Sequence, residues 1–250
     1  MGAKTSIKWT DATFNPWWGC TKVSPGCDHC YAESFDKRVG GAHWGKGEPR
    51  RILSDDCWKG PLKWNREAEI NGVRRKVFCA SMADVMDDEA PAGQRERLWE
   101  LIDATPQLIW QLLTKRPQRY ERYLPSAFKH GNVWLGTSAE DQQNYDLRWP
   151  ILQRAAVSYA AISFISYEPA LGPLTMVEYP YRPDWVICGG ESGVKRRPME
   201  TAWAESLRVE CERRGVAFFM KQMSAQTPAK GSDLIPAHLL IRKFPGADQN

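Results

Sequence analysis

The sequence predicts an α/β fold: a complete or partial (β/α) barrel with an irregular insertion after its first strand. Three observations predict it. Short apolar runs of strand length alternate with helix-like stretches along most of the 250 residues, the pattern of a parallel sheet with crossover helices. Nearly every run ends on a polar or charged group, as strands do when their C-terminal ends converge on one working face. No Gly-x-Gly-x-x-Gly follows the first strand, so the competing open, doubly wound sheet lacks its dinucleotide fingerprint.

The elements follow in order. ATFNP (12–16) is the candidate first strand. The Gly- and Pro-rich stretch at about 38–75 then breaks the rhythm and reads as an insertion with a short helix or two. KVFCASM (76–82) resumes the strands. APAGQRERLWELIDAT (90–105) places Leu98, Leu101 and Ile102 on one helical face. LIWQLLT (108–114) and NVWLGTS (132–138) are near-continuous apolar runs, as strands buried on both faces are. AEDQQNYDLRWPILQRA (139–155) starts as a helix, and Pro150 predicts a kink or break. Strands AISFISYEP (161–169) and DWVICGGES (184–192) come next. The helix METAWAESLRVECERRG (199–215) has Trp203, Leu207 and Cys211 at i, i+4 and i+8, with Gly215 as its stop. VAFFMKQ (216–222) is the last strand, and KFPGADQN (243–250) reads as a frayed terminus. One domain is expected over 1–250.

Composition bounds the function. Apolar residues make up 42% and charged residues 26% of the chain, ordinary for a soluble globular protein. No apolar run is long enough to span a bilayer, so no membrane partner is expected, and the first residues lack the apolar stretch of a secretory leader. Of the seven cysteines, Cys57, Cys79, Cys188 and Cys211 are scattered. That odd, uneven set is not a disulfide framework and implies a reducing, cytoplasmic setting. The net charge of +4 is concentrated. Lys37 to Lys76 holds eleven Lys/Arg against five Asp/Glu, together with Trp44, Trp58 and Trp64. Cations beside stacking rings suit a nucleic acid, as does the Lys195-Arg196-Arg197 run.

The remaining cysteines are concentrated. Cys20, Cys27 and Cys30 are spaced C-x6-C-x2-C around a Ser24-Pro25-Gly26 turn. The turn folds Cys20 back toward the Cys27/Cys30 pair, and a helix start beside the pair favours thiolate. Three thiolates with a vacant position make a soft metal site. Two readings stay open here: an iron–sulfur cluster on three ligands, or a zinc knuckle with Cys57 as the fourth ligand. The strand exits add Ser81, Asp84, Lys115, Arg116, Thr137, Glu140, Glu168, Gly189, Gly190 and Glu191 as candidate ligand-binding groups.

The loop resembles that of the radical S-adenosylmethionine (SAM) superfamily, whose usual motif is C-x3-C-x-aromatic-C. Here the first gap is six residues, and His29 stands at the ring-bearing position. NPWWGC, SPGCDHCYAE, SMADV, LLTKRP, WLGTSAEDQ, SYEPALGP, CGGESG and FFMKQ together are similar to a bacteriophage-associated family of uncharacterised proteins grouped with radical SAM enzymes. LLTKRP and SMADV also resemble, more loosely, the spore photoproduct lyase branch. The resemblance implies a barrel of the radical SAM type, a [4Fe–4S] cluster on Cys20, Cys27 and Cys30, and reductive cleavage of SAM. It also implies an electron donor of the flavodoxin or ferredoxin type. Within it, Lys115 meets the SAM carboxylate and Ser81 helps orient the methionine end. SAM further wants anions and aromatic cover, for which Glu140, Glu168, Glu191, His29 and Trp134 are available. Gly189-Gly190-Glu191 resembles the superfamily's Gly-Gly-Glu motif but follows a late strand, so Glu191 is read only as a rim carboxylate. The leading substrate is a nucleic acid or nucleotide, and no residue is nominated as a hydrogen-atom donor. The alternative is a zinc-stabilised nucleic-acid-binding module without catalysis.

Overall fold

The computed structural model describes residues 5–128, 130–176 and 181–246; positions 247–250 of the expected frayed terminus lie outside them. In chain order the strands are β1 (Ala12–Thr13), β2 (Trp17–Trp18), β3 (Arg51–Ile52), β4 (Arg75–Cys79), β5 (Leu108–Thr114), β6 (Val133–Ser138), β7 (Ile162–Tyr167), β8 (Trp185–Gly189) and β9 (Ala217–Gln222). The helices are α1 (Tyr31–Arg38), α2 (Asp55–Asn71), α3 (Gln94–Asp103), α4 (Tyr120–Tyr123), α5 (Gln142–Ser158), α6 (Thr201–Arg214) and α7 (Pro228–Asp233).

Seven strands form one sheet in the order β1-β4-β5-β6-β7-β8-β9. Every pair is parallel and in sequential order, with Leu112 opposite Leu135 and Ile165 opposite Val186. β1 and β9 are the two edges, so the sheet curls into a half-barrel. Of the two expected forms, the partial barrel is the one present. Parallel neighbours need a crossover, and a helix supplies most of them.

The two faces of the sheet are covered differently. Val77, Trp110, Leu112, Leu135, Ile165, Val186 and Met220 pack with helix residues such as Trp58, Leu98, Ile102, Leu152 and Leu207. The other face holds Phe78, Trp134, Phe164, Trp185, Ile187 and Phe219, capped by Trp9. Its rings meet edge-on or tilted, with Trp9 4.6 Å from Phe78 and Trp185 5.3 Å from Phe244, arrangements that suit the aromatic quadrupole. Each side chain so buried contributes roughly 1.5–3 kcal/mol. Trp134, expected as cover for a ligand, belongs to this aromatic plug, 5.9 Å from Trp185. It is the second residue of its strand and so lies far from the strand's C-terminal end.

Two local expectations change. The stretch 38–75 is irregular as far as Ser54, apart from the antiparallel β2–β3 pair. It then winds into the 17-residue α2, the crossover between β1 and β4. Asp55 and Asp56 favour its first turn, Pro61 lies inside it, and Gly72 ends it at φ +65°. Trp58 and Trp64 on this helix are buried in the core, so they offer no stacking surface; Trp44 is half-buried. Pro150 does not break α5, which runs on to Ser158. One backbone bond is forfeited there, but Trp149 and Leu152 on either side are fully buried and hold the helix to the sheet. Helix α6 buries Ala204, Leu207 and Cys211, while Trp203 packs only partly against the core. No described helix is long and apolar enough to cross a membrane.

Candidate functional site

The cysteine loop lies across the C-terminal ends of the strands. Gly19 takes φ +114° and pairs with Ala83 just past β4. A Cβ on it would stand 2.2 Å from the His43 carbonyl oxygen, so only glycine lets the chain turn into Cys20 here. Pro25–Cys27 makes a single 3-10 turn, and Cys30 immediately precedes α1.

The loop is pinned to one strand end after another. Past β5, the Arg116 guanidinium donates to the Thr21 carbonyl at 2.6 Å and lies 3.6 Å from Cys20 Sγ. Past β6, Glu140 accepts the Gly26 N–H at 3.2 Å. Past β8, Glu191 Oε2 lies 3.0 Å from His29 Nδ1. Past β4, the Ser81 carbonyl accepts the Tyr31 hydroxyl at 2.7 Å. Arg197 adds a fifth pin, donating to the Pro25 carbonyl at 3.0 Å.

Each pin is itself held. Glu140 is fully buried and paired with Arg148 at 2.9 Å. Burial opposes its ionisation, but Arg148 and then Lys115 outweigh that and keep its carboxyl below the usual range. Glu191, 6% exposed, accepts Arg197 N at 2.7 Å, Nε at 3.1 Å and Nη2 at 2.6 Å. Burial again opposes the charge, and Arg197 and His29 prevail, so its carboxyl also titrates low. Asp84 accepts from Thr114 Oγ1 at 2.7 Å, Arg116 Nη1 at 2.8 Å, Lys115 N at 3.2 Å and Met86 N at 2.9 Å.

These contacts sort the expected residues. Cys20, Cys27, Cys30 and His29 share one loop, and Glu140 and Glu191 hold it at Gly26 and His29. Lys115 stands close enough to Cys30 and Glu140 to lower the pKa of each, and its ammonium has no ion pair among the described residues. Ser81 is joined to Asn15, whose Nδ2 donates to its hydroxyl at 3.1 Å. Glu168 belongs to another group: it pairs with Lys221 at 2.6 Å and accepts from Ser166 at 3.1 Å. Asp84 and Thr137 are occupied with the scaffold, since Thr137 is fully buried and donates to the Thr114 carbonyl at 2.8 Å. Gly190 abuts the chain past β9, where a Cβ would meet Ser224 N at 2.3 Å. Its smallness serves that close approach.

Arg148, Arg50 and Asp87 were not legible as part of this site. Arg50 is buried and donates to Asp87 at 2.8 Å, Thr21 Oγ1 at 2.7 Å and Glu89 at 2.9 Å. In sequence it is one of many cations in a basic stretch. The eight-residue step from Glu140 to Arg148 was the one available signal for that pair.

All three loop cysteines are free and half-buried. Burial pushes the Cys20 thiol up to about 12, aided by Asp84 and opposed by Arg116. Burial raises Cys30 too, against the backbone amides of Glu33 and Ala32 and the Lys115 charge. No group of three or more His, Cys, Asp or Glu among the described residues is arranged to hold a single metal ion. Cys57, in the first turn of α2, is 3.5 Å from Ser54 Oγ. An open groove of about 420 Å³ lined by Arg196, Pro198, Met199, Met223, Ser224 and Leu234 adjoins the rim beyond β8 and β9.

A family model described as "Protein of unknown function (DUF5131)" matches residues 4–240. No curated protein matches the chain. Two solved structures of spore photoproduct lyase are similar to it. A double mutant with bound AdoMet and dinucleoside spore photoproduct gives a TM-score of 0.50 at 12% identity, over 85% of this chain and 56% of that one. A single mutant gives 0.51 at 12% identity, over 90% and 59%. The chain therefore spans less than three fifths of those lyases. At that identity the likeness is one of fold, and the fold is the radical-SAM-type half-barrel.

Proposed function

The chain belongs to the DUF5131 family, and we propose that it is an iron–sulfur enzyme that reductively cleaves SAM, acting on a nucleic acid or nucleotide. One observation carries the reading: a loop with three free thiols is fastened over the C-terminal mouth of a radical-SAM-type half-barrel by groups from successive strand ends.

The donor set fits a [4Fe–4S] cluster held by three thiolates. Cys20, Cys27 and Cys30 are soft ligands, none is spent in a disulfide, and the Arg116 and Lys115 charges lie beside Cys20 and Cys30. Cys57 sits in the first turn of α2 beside Ser54 Oγ, and among the described residues no group of three or more His, Cys, Asp or Glu is arranged around a single ion. Both count against a four-cysteine zinc site, whereas a cubane takes each thiolate on a different iron. A bound cluster with SAM would supply the 5′-deoxyadenosyl radical.

The protein's own residues do the rest. Lys115, without an ion pair among the described residues, offers a cation to the SAM carboxylate next to Cys30. The Glu168–Lys221 pair and Ser81 line the rim where a hydroxyl or ammonium can bond. The Trp9, Trp134, Trp185 and Phe219 plug fills the barrel's inner side at the end away from the mouth and closes that end to water. For the substrate, Lys195 and Arg196 lie at the rim without ion pairs among the described residues, and Arg196 also lines the groove. Arg197 is committed to Glu191. A one-electron donor of the flavodoxin or ferredoxin type completes the system. Incubating the reduced, reconstituted protein with SAM tests the reading: 5′-deoxyadenosine should accumulate, and its absence with a full cluster in place defeats the proposal.

A further inference from the structure

Building on the cluster reading above, we infer that Arg116 is a positioning residue that clamps the Cys20 sulfur and raises the reduction potential of the cluster. Arg116 is buried, at 6% exposure, and both terminal nitrogens of its guanidinium are engaged. Nη1 lies 3.6 Å from Cys20 Sγ and 2.8 Å from Asp84 Oδ2. Nη2 donates to the Thr21 carbonyl at 2.6 Å and stands 3.6 Å from Asp87 Oδ1. The backbone is fixed as well: Arg116 N donates to Thr114 Oγ1 at 2.8 Å, and that hydroxyl donates to Asp84 at 2.7 Å. Asp87 is held in turn by Arg50, which also reaches the Thr21 hydroxyl. Thr21, the residue after Cys20, is thus gripped at its carbonyl by one arginine and at its hydroxyl by another.

No other side chain among the described residues donates to any of the three sulfurs. Reduction of a cluster adds negative charge that is shared with its thiolates. A charged N–H aimed at one of them stabilises the reduced form, so the potential rises. Lysine is a poor substitute, because one ammonium cannot serve Sγ, a carboxylate and a carbonyl in a planar fork.

The test is a redox titration of the anaerobically reconstituted full chain, followed by the electron paramagnetic resonance of the reduced cluster. Arg116→Gln should shift the midpoint potential downward, with Arg116→Lys between it and the wild type. Arg116→Gln leaves Asp84 unpaired, so the double variant Asp84→Asn with Arg116→Gln restores the local charge balance and guards against misfolding. The clamp requires the double variant to stay below the wild type at equal iron content. A return to the wild-type potential would show that net charge alone matters and would overturn the inference while leaving the cluster reading intact. A wild-type chain that takes up no iron and sulfide overturns both.

Discussion

Glu191→Gln removes the charge that fastens the middle of the cysteine loop, and its effect can be worked from the structure. The carboxylate accepts three N–H groups of Arg197 and faces His29 at 3.0 Å. Charge-assisted bonds of this kind contribute about 1.5–3 kcal/mol each when buried. Glu191 is buried, but the Arg197 and His29 side chains are 29% and 32% exposed and can turn to water. Glutamine also keeps one acceptor. The net loss is then about 1–3 kcal/mol, concentrated in the loop. Lys22 lies in that loop and is 47% exposed, so limited trypsin digestion reports its opening. If cleavage follows the open population, the rate at Lys22 should rise about 5- to 150-fold. The melting temperature should fall by about 2–4 °C per kcal/mol. Unchanged cleavage at Lys22 would refute the idea that Glu191 pins the loop.

Further outcomes follow from the same geometry. Cys27→Ser should lose both the cluster and SAM cleavage, while Cys57→Ser should keep them; metal analysis and 5′-deoxyadenosine assay of the two variants check this, and loss of metal from Cys57→Ser as well would favour zinc. Gly190→Ala forces a Cβ to 2.3 Å from Ser224 N and should cost about 1–3 kcal/mol in urea unfolding; a neutral result would contradict the close approach. Glu140→Gln should cost about 3–5 kcal/mol at pH 7, because it leaves Arg148 buried without its partner. The pH dependence carries a sign. The folded carboxyl titrates below its unfolded value, so its contribution is complete above about 4.3 and is lost as pH falls through the lower folded value. The glutamine variant should therefore show a flatter stability profile in that acid window, measured by unfolding at stepped pH.

Much of the fold was legible because parallel strands buried on both faces leave near-continuous apolar runs. LIWQLLT was read as a strand over 108–114 and is one over those residues. β6, β7, β8 and β9 fall inside or within one residue of their predicted runs. The crossover α2 was hidden by its own Gly60-Pro61 pair, since burial of Trp58, Trp64 and Ala68 outweighs a weak local propensity. Of the site, the cysteine spacing was informative because thiols are rare and clustered. The strand-exit residues were less so. A carboxylate at a strand end reads alike whether it awaits a ligand or holds a loop. Only the fold reveals that Glu140 is turned to Arg148 and Gly26, that Asp84 is taken up by Met86 and the end of β5 with Lys115 and Arg116 just past it, and that Lys115 is left without an ion pair among the described residues.

Iron and acid-labile sulfide content of the full chain purified without air tests the central claim most directly. The account predicts about four of each per chain, with broad absorbance near ~400 nm. Stoichiometric zinc without sulfide would contradict it.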